Sequence, residues 1–306
     1  MMGLLDYSTE VESFAGTMVC ESVSNLIYGD EPFEITFKRL SECGFDGIEL
    51  MGEPDRYSPL EVRRLCDQYN LEVLSIAGMY PWPTDERDLA NPIPEVRQRA
   101  IAYLRKCIDF ACDVGAALII VVPSAVGKTR PVGEQYDGKT WEEAYQKEWG
   151  YAVESVREAA RYAEEKGISL AIEPINRYET YLVNTAEQGR RFVSEIGSES
   201  VKLHLDTFHM NIEESDPIRA LQLAGELLVS VHISDTNRQA VGCGHFDFAG
   251  LMKALKEMGY DGPLTLEPLP PVPDPSIAMR MERYRSHWDS YARESLQRLR
   301  DLERTV

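Results

Sequence analysis

With 306 residues the chain exceeds the usual size of one domain but stays close to what a single α/β barrel, commonly about 250 residues, occupies. A hydrophobic content of 43% provides a large core, yet no apolar run nears the roughly 20 residues of a membrane helix, which excludes a membrane protein. The formal charge of −19, unrelieved by any basic stripe, argues against a nucleic acid partner and makes a neutral sugar the easier ligand, while local Arg and Lys residues leave a sugar phosphate open.

The first residues, MMGLLDYSTEVESFAG, carry Asp6, Glu10 and Glu12 and do not read as a secretory signal. The cysteines Cys20, Cys43, Cys66, Cys107, Cys112 and Cys243 are scattered and form no C-x-x-C pair, so reduced thiols and a cytoplasmic location are expected. In chain order the patterning predicts a strand at Thr17–Glu21, a helix at Glu34–Cys43, a strand at Gly47–Met51, a helix at Pro59–Tyr69, a strand at Glu72–Ala77 and a helix at Val96–Val114. A strand at Ala117–Pro123, a helix at Val153–Lys166, strands at Ser169–Glu173, Lys202–Asp206 and Ser230–Ser234, a helix at Phe248–Met258 and a strand at Leu264–Glu267 follow. Gly44, Gly115, Gly167 and Gly259 stand where left-handed helix caps are expected. Eight βα repeats predict a (β/α)8 TIM barrel, with residues 1–306 forming a single domain. Two irregular connections, Pro123–Trp149 and Pro268–Pro275, are expected as ligand-binding loops, and a final helix from about Ser276 to Glu303 is expected to pack on the barrel or on a partner.

The last four strands carry the chemistry. In SLAIEP, Leu170 and Ile172 face one way and Ser169, Ala171 and Glu173 the other; KLHLD sets Lys202, His204 and Asp206 against Leu203 and Leu205. SVHIS sets Ser230, His232 and Ser234 against Val231 and Ile233, and PLTLEP sets Thr265 and Glu267 against Leu264 and Leu266. The apolar face belongs under the helices, so Glu173, Asp206, His232 and Glu267 are expected to converge at the C-terminal mouth. Their spacings of 33, 26 and 35 residues match successive βα repeats. Three carboxylates in one small space require a counter-charge, and oxygen donors with one imidazole favour one divalent ion, Mn²⁺ first, with Mg²⁺ or Co²⁺ also suitable.

The segments EPINRYETYLVNTAEQ, HLDTFHMNIEE, VHISDTNR and LTLEPL resemble the xylose-isomerase-like sugar isomerases and epimerases, and among them the ketose 3-epimerases of the D-tagatose and D-allulose type. The resemblance spans roughly Ile168–Leu269. It implies that Glu173, Asp206, His232 and Glu267 are metal ligands, that Glu173 and Glu267 form the acid/base pair, and that Glu179, His209 and Arg238 contact substrate. The expected reaction is removal of a proton beside a ketone through a metal-stabilised enediolate, with return of a proton on the opposite face. The chain departs from the H-x-H-T-G-E sequence of the epimerases: Ser230 replaces the first His, and Ser234–Asp235 replace Gly–Glu.

Arg238, six residues past His232, is placed to stabilise developing oxyanion charge. His209 is expected as a hydroxyl donor or proton shuttle, or else a helix cap, and His245 as a further substrate contact from GCGHFDF. Asp247 is expected to cap the helix at Phe248, and His204 to be bonded inside the barrel. Tyr80, Trp82, Trp141 and Trp149 are expected in loops around the mouth. The alternative function is a metal-dependent lyase on 3-oxo-glycosides, like the catalytic subunit of C-glycoside deglycosidases. A homo-oligomer is expected, or a small partner subunit if the chain is a deglycosidase. With five histidines and this charge, a His-rich trinuclear nuclease is not supported.

Overall fold

The computed structural model describes residues 20–78, 85–132, 138–271 and 281–306. Eight parallel strands, β1 (Glu21–Ser24), β2 (Gly47–Met51), β3 (Glu72–Ala77), β4 (Leu118–Val121), β5 (Ser169–Ile172), β6 (Val201–Asp206), β7 (Leu228–Ile233) and β8 (Leu264–Leu266), close into one barrel in chain order. Around them run α1 (Phe33–Cys43), α2 (Pro59–Tyr69), α3 (Pro94–Val114), α4 (Gly138–Lys166), α5 (Ala186–Ile196), α6 (Thr207–Glu213), α7 (Pro217–Ala224), α8 (Phe248–Met258) and α9 (Arg285–Glu303). No helix among the described residues is long and apolar enough to cross a membrane.

Local sequence accounts for the helix ends. Thr185 and Gln188 form a reciprocal capping box at the start of α5, Ser58 caps α2 ahead of Pro59, and Asp247 caps α8 by accepting from Gly250 N at 2.8 Å. Gly44, Gly115, Gly167 and Gly259 adopt φ of 84°, 85°, 71° and 66°, the left-handed region that a side chain would resist.

The main apolar core lies between barrel and helices and takes Ile119, Val121, Leu170, Ile172, Leu203, Leu205, Val231, Ile233, Leu264 and Leu266 from the strands. The opposite strand faces point inward. Inside, polar pairs replace much of the usual branched aliphatic filling: Ser22 Oγ lies 2.7 Å from Thr265 Oγ1, Ser75 Oγ donates to Glu49 Oε2 at 2.7 Å, and His204 Nδ1 lies 2.7 Å from Ser230 Oγ. Two irregularities of register set these pairs. Between β2 and β3 the pairing passes from Ile48↔Val73 to Glu49↔Ser75, and between β6 and β7 from Leu203↔Leu228 to His204↔Ser230. Each inserts one residue, Leu74 or Val229, and brings a small hydroxyl opposite a long polar side chain. Val229 accordingly packs on a separate small cluster of Leu118, Ile120 and Ala171.

The predicted bounds of β2, β3, α2 and α8 are reproduced, and the other predicted strands shift by one to four residues. The main correction concerns Pro123–Trp149, whose second half is helical because α4 starts at Gly138. Trp141, Tyr145 and Trp149 fall four residues apart along one face: Trp141 stacks on Tyr145 at 5.2 Å, and buried Trp149 meets Phe192 edge-on at 5.1 Å. Trp141 and Trp149 therefore pack the helical layer and do not rim the mouth in loops. Residues 17–19, Tyr80, Trp82 and the predicted helical start at 276–280 lie outside the described residues.

Candidate active site

Each of the four expected residues stands at the C-terminal end of its strand. Glu173 follows β5 and its N–H donates to Val121 O at 3.0 Å; Glu267 follows β8 and donates likewise to Ile233 O at 3.0 Å. Asp206 ends β6 directly opposite His232 of β7. All four are buried, and one atom each from Asp206, His232 and Glu267 lies within 4.8 Å of the others. Glu173 joins two overlapping groups of the same size, with His204 and His232 and with Asp206 and His209.

The donor set fits a divalent cation. His232 Nδ1 is buried without a hydrogen-bond partner, 3.4 Å from Glu267 Oε2 and 3.9 Å from Asp206 Oδ2, as a nitrogen lone pair held for a ligand would be. Its other nitrogen is engaged: Nε2 faces both oxygens of Glu49 at 3.0 and 3.1 Å, and Glu49 in turn accepts from Ser75. A carboxylate behind an imidazole fixes ring orientation and directs the opposite lone pair, as in many metal sites. Glu49 was missed in the sequence although Gly47–Met51 was read as a strand; its alternation with Ile48 and Leu50 carries the same inward signal as Asp206. Burial acts to lower the pKa of His232, but Glu49 and Glu267 overcome it and raise it well above the usual imidazole range.

Arg238 is held close over the same carboxylates. One guanidinium nitrogen donates to Asp206 Oδ2 at 2.5 Å and the other to Glu267 Oε2, while the group lies 4.9 Å above the Phe208 ring. Its backbone has φ 62°, an uncommon conformation for a residue with a Cβ, and is pinned by Arg238 N to Asp235 O at 2.8 Å and Leu269 N to Arg238 O at 2.6 Å. Asp235 organises the loop that delivers it, accepting from Thr236 N, Gly242 N and Phe246 N at 2.8 to 3.1 Å. A Cβ on Gly244 would stand 2.4 Å from Asp235 Oδ1, so only glycine fits there.

These contacts divide the two glutamates. Burial dominates at Glu173 and, with Asp206 and Glu267 nearby, raises its pKa well above the carboxylate range despite His232. Burial acts the same way at Glu267, but Arg238 and His232 outweigh it and lower the pKa; Asp206 is lowered in the same manner, chiefly by Arg238.

The remaining candidates divide as well. His209 on α6 is buried, with Nε2 3.8 Å from Glu173 Oε1 and 3.7 Å from Asp206 Oδ2. Asn176, a residue missed in the sequence, links it to Glu179: Asn176 Nδ2 lies 2.8 Å from both His209 Nδ1 and Glu179 Oε1. His204 sits beneath, as expected, its Nε2 without a hydrogen bond and 3.8 Å from Glu173 Oε1. His245 is exposed on its loop, and its Nδ1 lies 3.1 Å from Thr236 Oγ1. The β4–α4 connection is tied to this side of the barrel by Gly127 N donating to Glu179 O at 2.7 Å, and by Lys128 bridging buried Asp88 and Glu148 at 3.0 and 2.6 Å.

A closed parallel barrel with three carboxylates, an imidazole and a guanidinium gathered at its C-terminal mouth suits proton-transfer chemistry beside a divalent cation, and the relatives below make the chain a carbohydrate isomerase or epimerase. The chain belongs to the xylose isomerase-like TIM barrel family, whose profile matches residues 37–302. It is 32% identical over 253 residues to a D-psicose 3-epimerase of Ruminiclostridium cellulolyticum, covering 79% of this chain and 81% of the relative. It is 29% identical over 253 residues to a 3-dehydro-D-guloside 4-epimerase of Escherichia coli, covering 80% and 90%. The crystal structure of D-psicose 3-epimerase with D-tagatose from Clostridium cellulolyticum H10 superposes with a TM-score of 0.78 at 26% identity, covering 92% of this chain and 99% of the other. These relatives are sugar epimerases and do not favour the lyase alternative.

Proposed function

We propose that the chain, acting as one barrel domain, inverts a carbon next to a ketone in a sugar, with Glu173 and Glu267 as the acid/base pair and Glu173, Asp206, His232 and Glu267 as ligands of one divalent ion, Mn²⁺ first. The carrying observation is that the two glutamates arrive from β5 and β8, flank the Asp206–His232 pair of β6 and β7, and sit in opposite electrostatic settings. Groups of one kind whose surroundings push their pKa values apart divide acid from base roles. Glu267, whose pKa Arg238 and His232 lower, removes the carbon proton; Glu173, whose pKa burial raises, delivers one from the other side. The roles exchange in the reverse direction. When bound, a divalent ion polarises the ketone and stabilises enediolate charge. Arg238, Glu179 and His209 orient the sugar, with His245 as an outer contact from its loop.

A ketone beside the inverted carbon is common to the reactions named for both relatives, since carbon 3 adjoins the carbon 2 ketone of psicose and carbon 4 adjoins a 3-dehydro centre. The substrate class is therefore ketoses and 3-oxo sugars. The six free cysteines support a reducing, cytoplasmic setting, and a homo-oligomer is the expected state, to be read by light scattering.

The test uses Glu173→Gln and Glu267→Gln. Each variant should lose net epimerisation yet exchange deuterium from solvent into only one of the two epimers, the one whose proton faces the surviving glutamate. Wild type that takes up no deuterium into any ketose or 3-oxo sugar, but expels the aglycone of a 3-oxo-glycoside, would establish the lyase instead.

A further inference from the structure

Asn176 ties together two residues that the proposed function assigns to substrate binding, and its own contacts are over-determined. It is buried, with 1% of its surface exposed, in the turn between β5 and α5. Its Oδ1 accepts from Tyr178 N at 3.0 Å, which fixes the amide orientation and leaves Nδ2 directed at Glu179 Oε1 and His209 Nδ1, each at 2.8 Å. Flipping the amide would set its NH2 against the Tyr178 N–H and its oxygen against a carboxylate oxygen. A second donor reaches the same imidazole nitrogen: Asn176 N–H points at His209 Nδ1 at 3.3 Å. A backbone N–H can only donate, so Nδ1 carries the lone pair and the ring proton resides on Nε2.

We propose that Asn176 is a positioning residue that sets the tautomer of His209, presenting Nε2–H to the site as a fixed hydrogen-bond donor while holding the Glu179 carboxylate beside it. The proposal rests on the reading of His209 and Glu179 as substrate contacts.

Three consequences separate this arrangement from the alternatives. His209 Nε2 bears a proton and cannot ligate a cation, so the grouping of Glu173, Asp206 and His209 is not a metal site, despite its compactness. His209 is a donor and not a proton shuttle, because proton relay through Nε2 would need the opposite nitrogen free to exchange, and two donors cover it. Proton transfer to carbon is left to Glu173 and Glu267. The sugar oxygen that His209 meets must act as an acceptor, whereas Glu179 accepts from a hydroxyl. The pair thus reads one acceptor and one donor on the sugar.

The test combines a spectrum with kinetics. Long-range ¹⁵N–¹H correlation of protein labelled at the histidine rings, recorded with Mg²⁺ as a diamagnetic probe ion, resolves five histidines, and His209→Gln assigns the relevant one. Wild type should show Nε2 protonated and Nδ1 bare. Asn176→Asp keeps the shape but turns the side-chain donor at 2.8 Å into a charged acceptor that outweighs the longer backbone N–H contact at 3.3 Å, so the His209 proton should move to Nδ1. KM should then rise about tenfold, the worth of one hydrogen bond lost with its orientation, and kcat should fall less. Asn176→Ala should raise KM by a smaller factor without fixing the opposite tautomer. In an Asn176→Asp/His209→Gln double variant, the rise in KM should fall short of the product of the two single effects, since the tautomer no longer exists to be set and only the hold on Glu179 is lost in addition.

A wild-type His209 protonated on Nδ1, or an Asn176→Asp variant that keeps the Nε2–H tautomer, overturns the proposal. So does a loss of thermal stability in both Asn176 variants with no change in KM. If the tautomer moves in Asn176→Asp but His209→Gln leaves KM unchanged, control of the ring by Asn176 stands and the substrate contact assigned to His209 fails.

Discussion

Replacing Glu49 by Leu should weaken metal binding without touching any proposed ligand. Glu49 is fully buried, and both its oxygens face His232 Nε2 at 3.0 and 3.1 Å. Leucine removes the acceptor, leaves an imidazole N–H unpaired in the barrel interior, and frees the ring to choose the tautomer that puts its proton on Nδ1. Losing the carboxylate behind a ligating histidine typically weakens metal binding ten- to hundredfold, about 1.4 to 2.7 kcal/mol. Glu49→Gln preserves the shape and one acceptor oxygen and should lie nearer wild type, and Ser75→Ala, which frees only the far side of the carboxylate, nearer still. Calorimetric titration of Mn²⁺ into chelator-treated protein gives the affinities, and thermal melts before loading show whether the fold has survived. A folded Glu49→Leu protein that binds Mn²⁺ within twofold of wild type refutes both the role of Glu49 and ligation through His232 Nδ1.

Asp206→Asn should weaken Mn²⁺ binding at least tenfold, whereas Arg238→Ala, which removes a competing cation from Asp206 and Glu267, should leave it unchanged or tighter and raise KM; equal metal affinity in the two variants contradicts the assignment. Lys128→Met should cost about 3 to 5 kcal/mol in urea unfolding, because Asp88 and Glu148 then face each other buried without a cation, and a loss below about 1 kcal/mol would refute that reading. Burial raises Glu21 from 4.5 to about 7 against the pull of Arg300. Because the folded pKa is the higher one, this group's contribution to stability is fully present below about 4.5 and is lost as pH rises through about 7, on the order of 3 kcal/mol at most. Glu21→Gln should flatten that part of the stability profile between pH 5 and 8, and an unchanged slope would locate the dependence elsewhere.

The barrel was legible because its two signals are local: period-two alternation with one apolar face, and glycine after each of four helices. Boundaries failed where a polar helix begins inside a loop-like stretch. Pro131, Gly133 and Gly138 suggested irregular chain, while Trp141, Tyr145 and Trp149 at four-residue spacing held the helical signal that was passed over. The short helices α6 and α7 were not foreseen, since seven and eight residues give too few turns for a period to show. Arg238 could be placed near the site by its distance from His232, but its left-handed backbone and its fork onto two carboxylates depend on Asp235 and on Leu269 across a long connection.

Glu49, Ser75, Ser230 and Asn176 were harder to foresee because their roles are relational. A serine in a strand reads as filler until a one-residue irregularity sets it against a glutamate or a histidine; neither register shift can be read from one strand alone. Including Glu49 also changes the electrostatic argument. Four buried carboxylates, Glu49, Glu173, Asp206 and Glu267, share the interior with one guanidinium and His232. His204 and His209 add no charge, since burial lowers the pKa of each. Even with His232 protonated the group, with its carboxylates ionised, stays two negative charges from neutrality, and Asp206 and Glu267 add to burial in raising the pKa of Glu173. Hydrophobic burial cannot compensate such a concentration of like charge. One divalent ion would, and the fourth carboxylate, Glu49, strengthens the charge argument that the three sequence-visible carboxylates Glu173, Asp206 and Glu267 carried only in part.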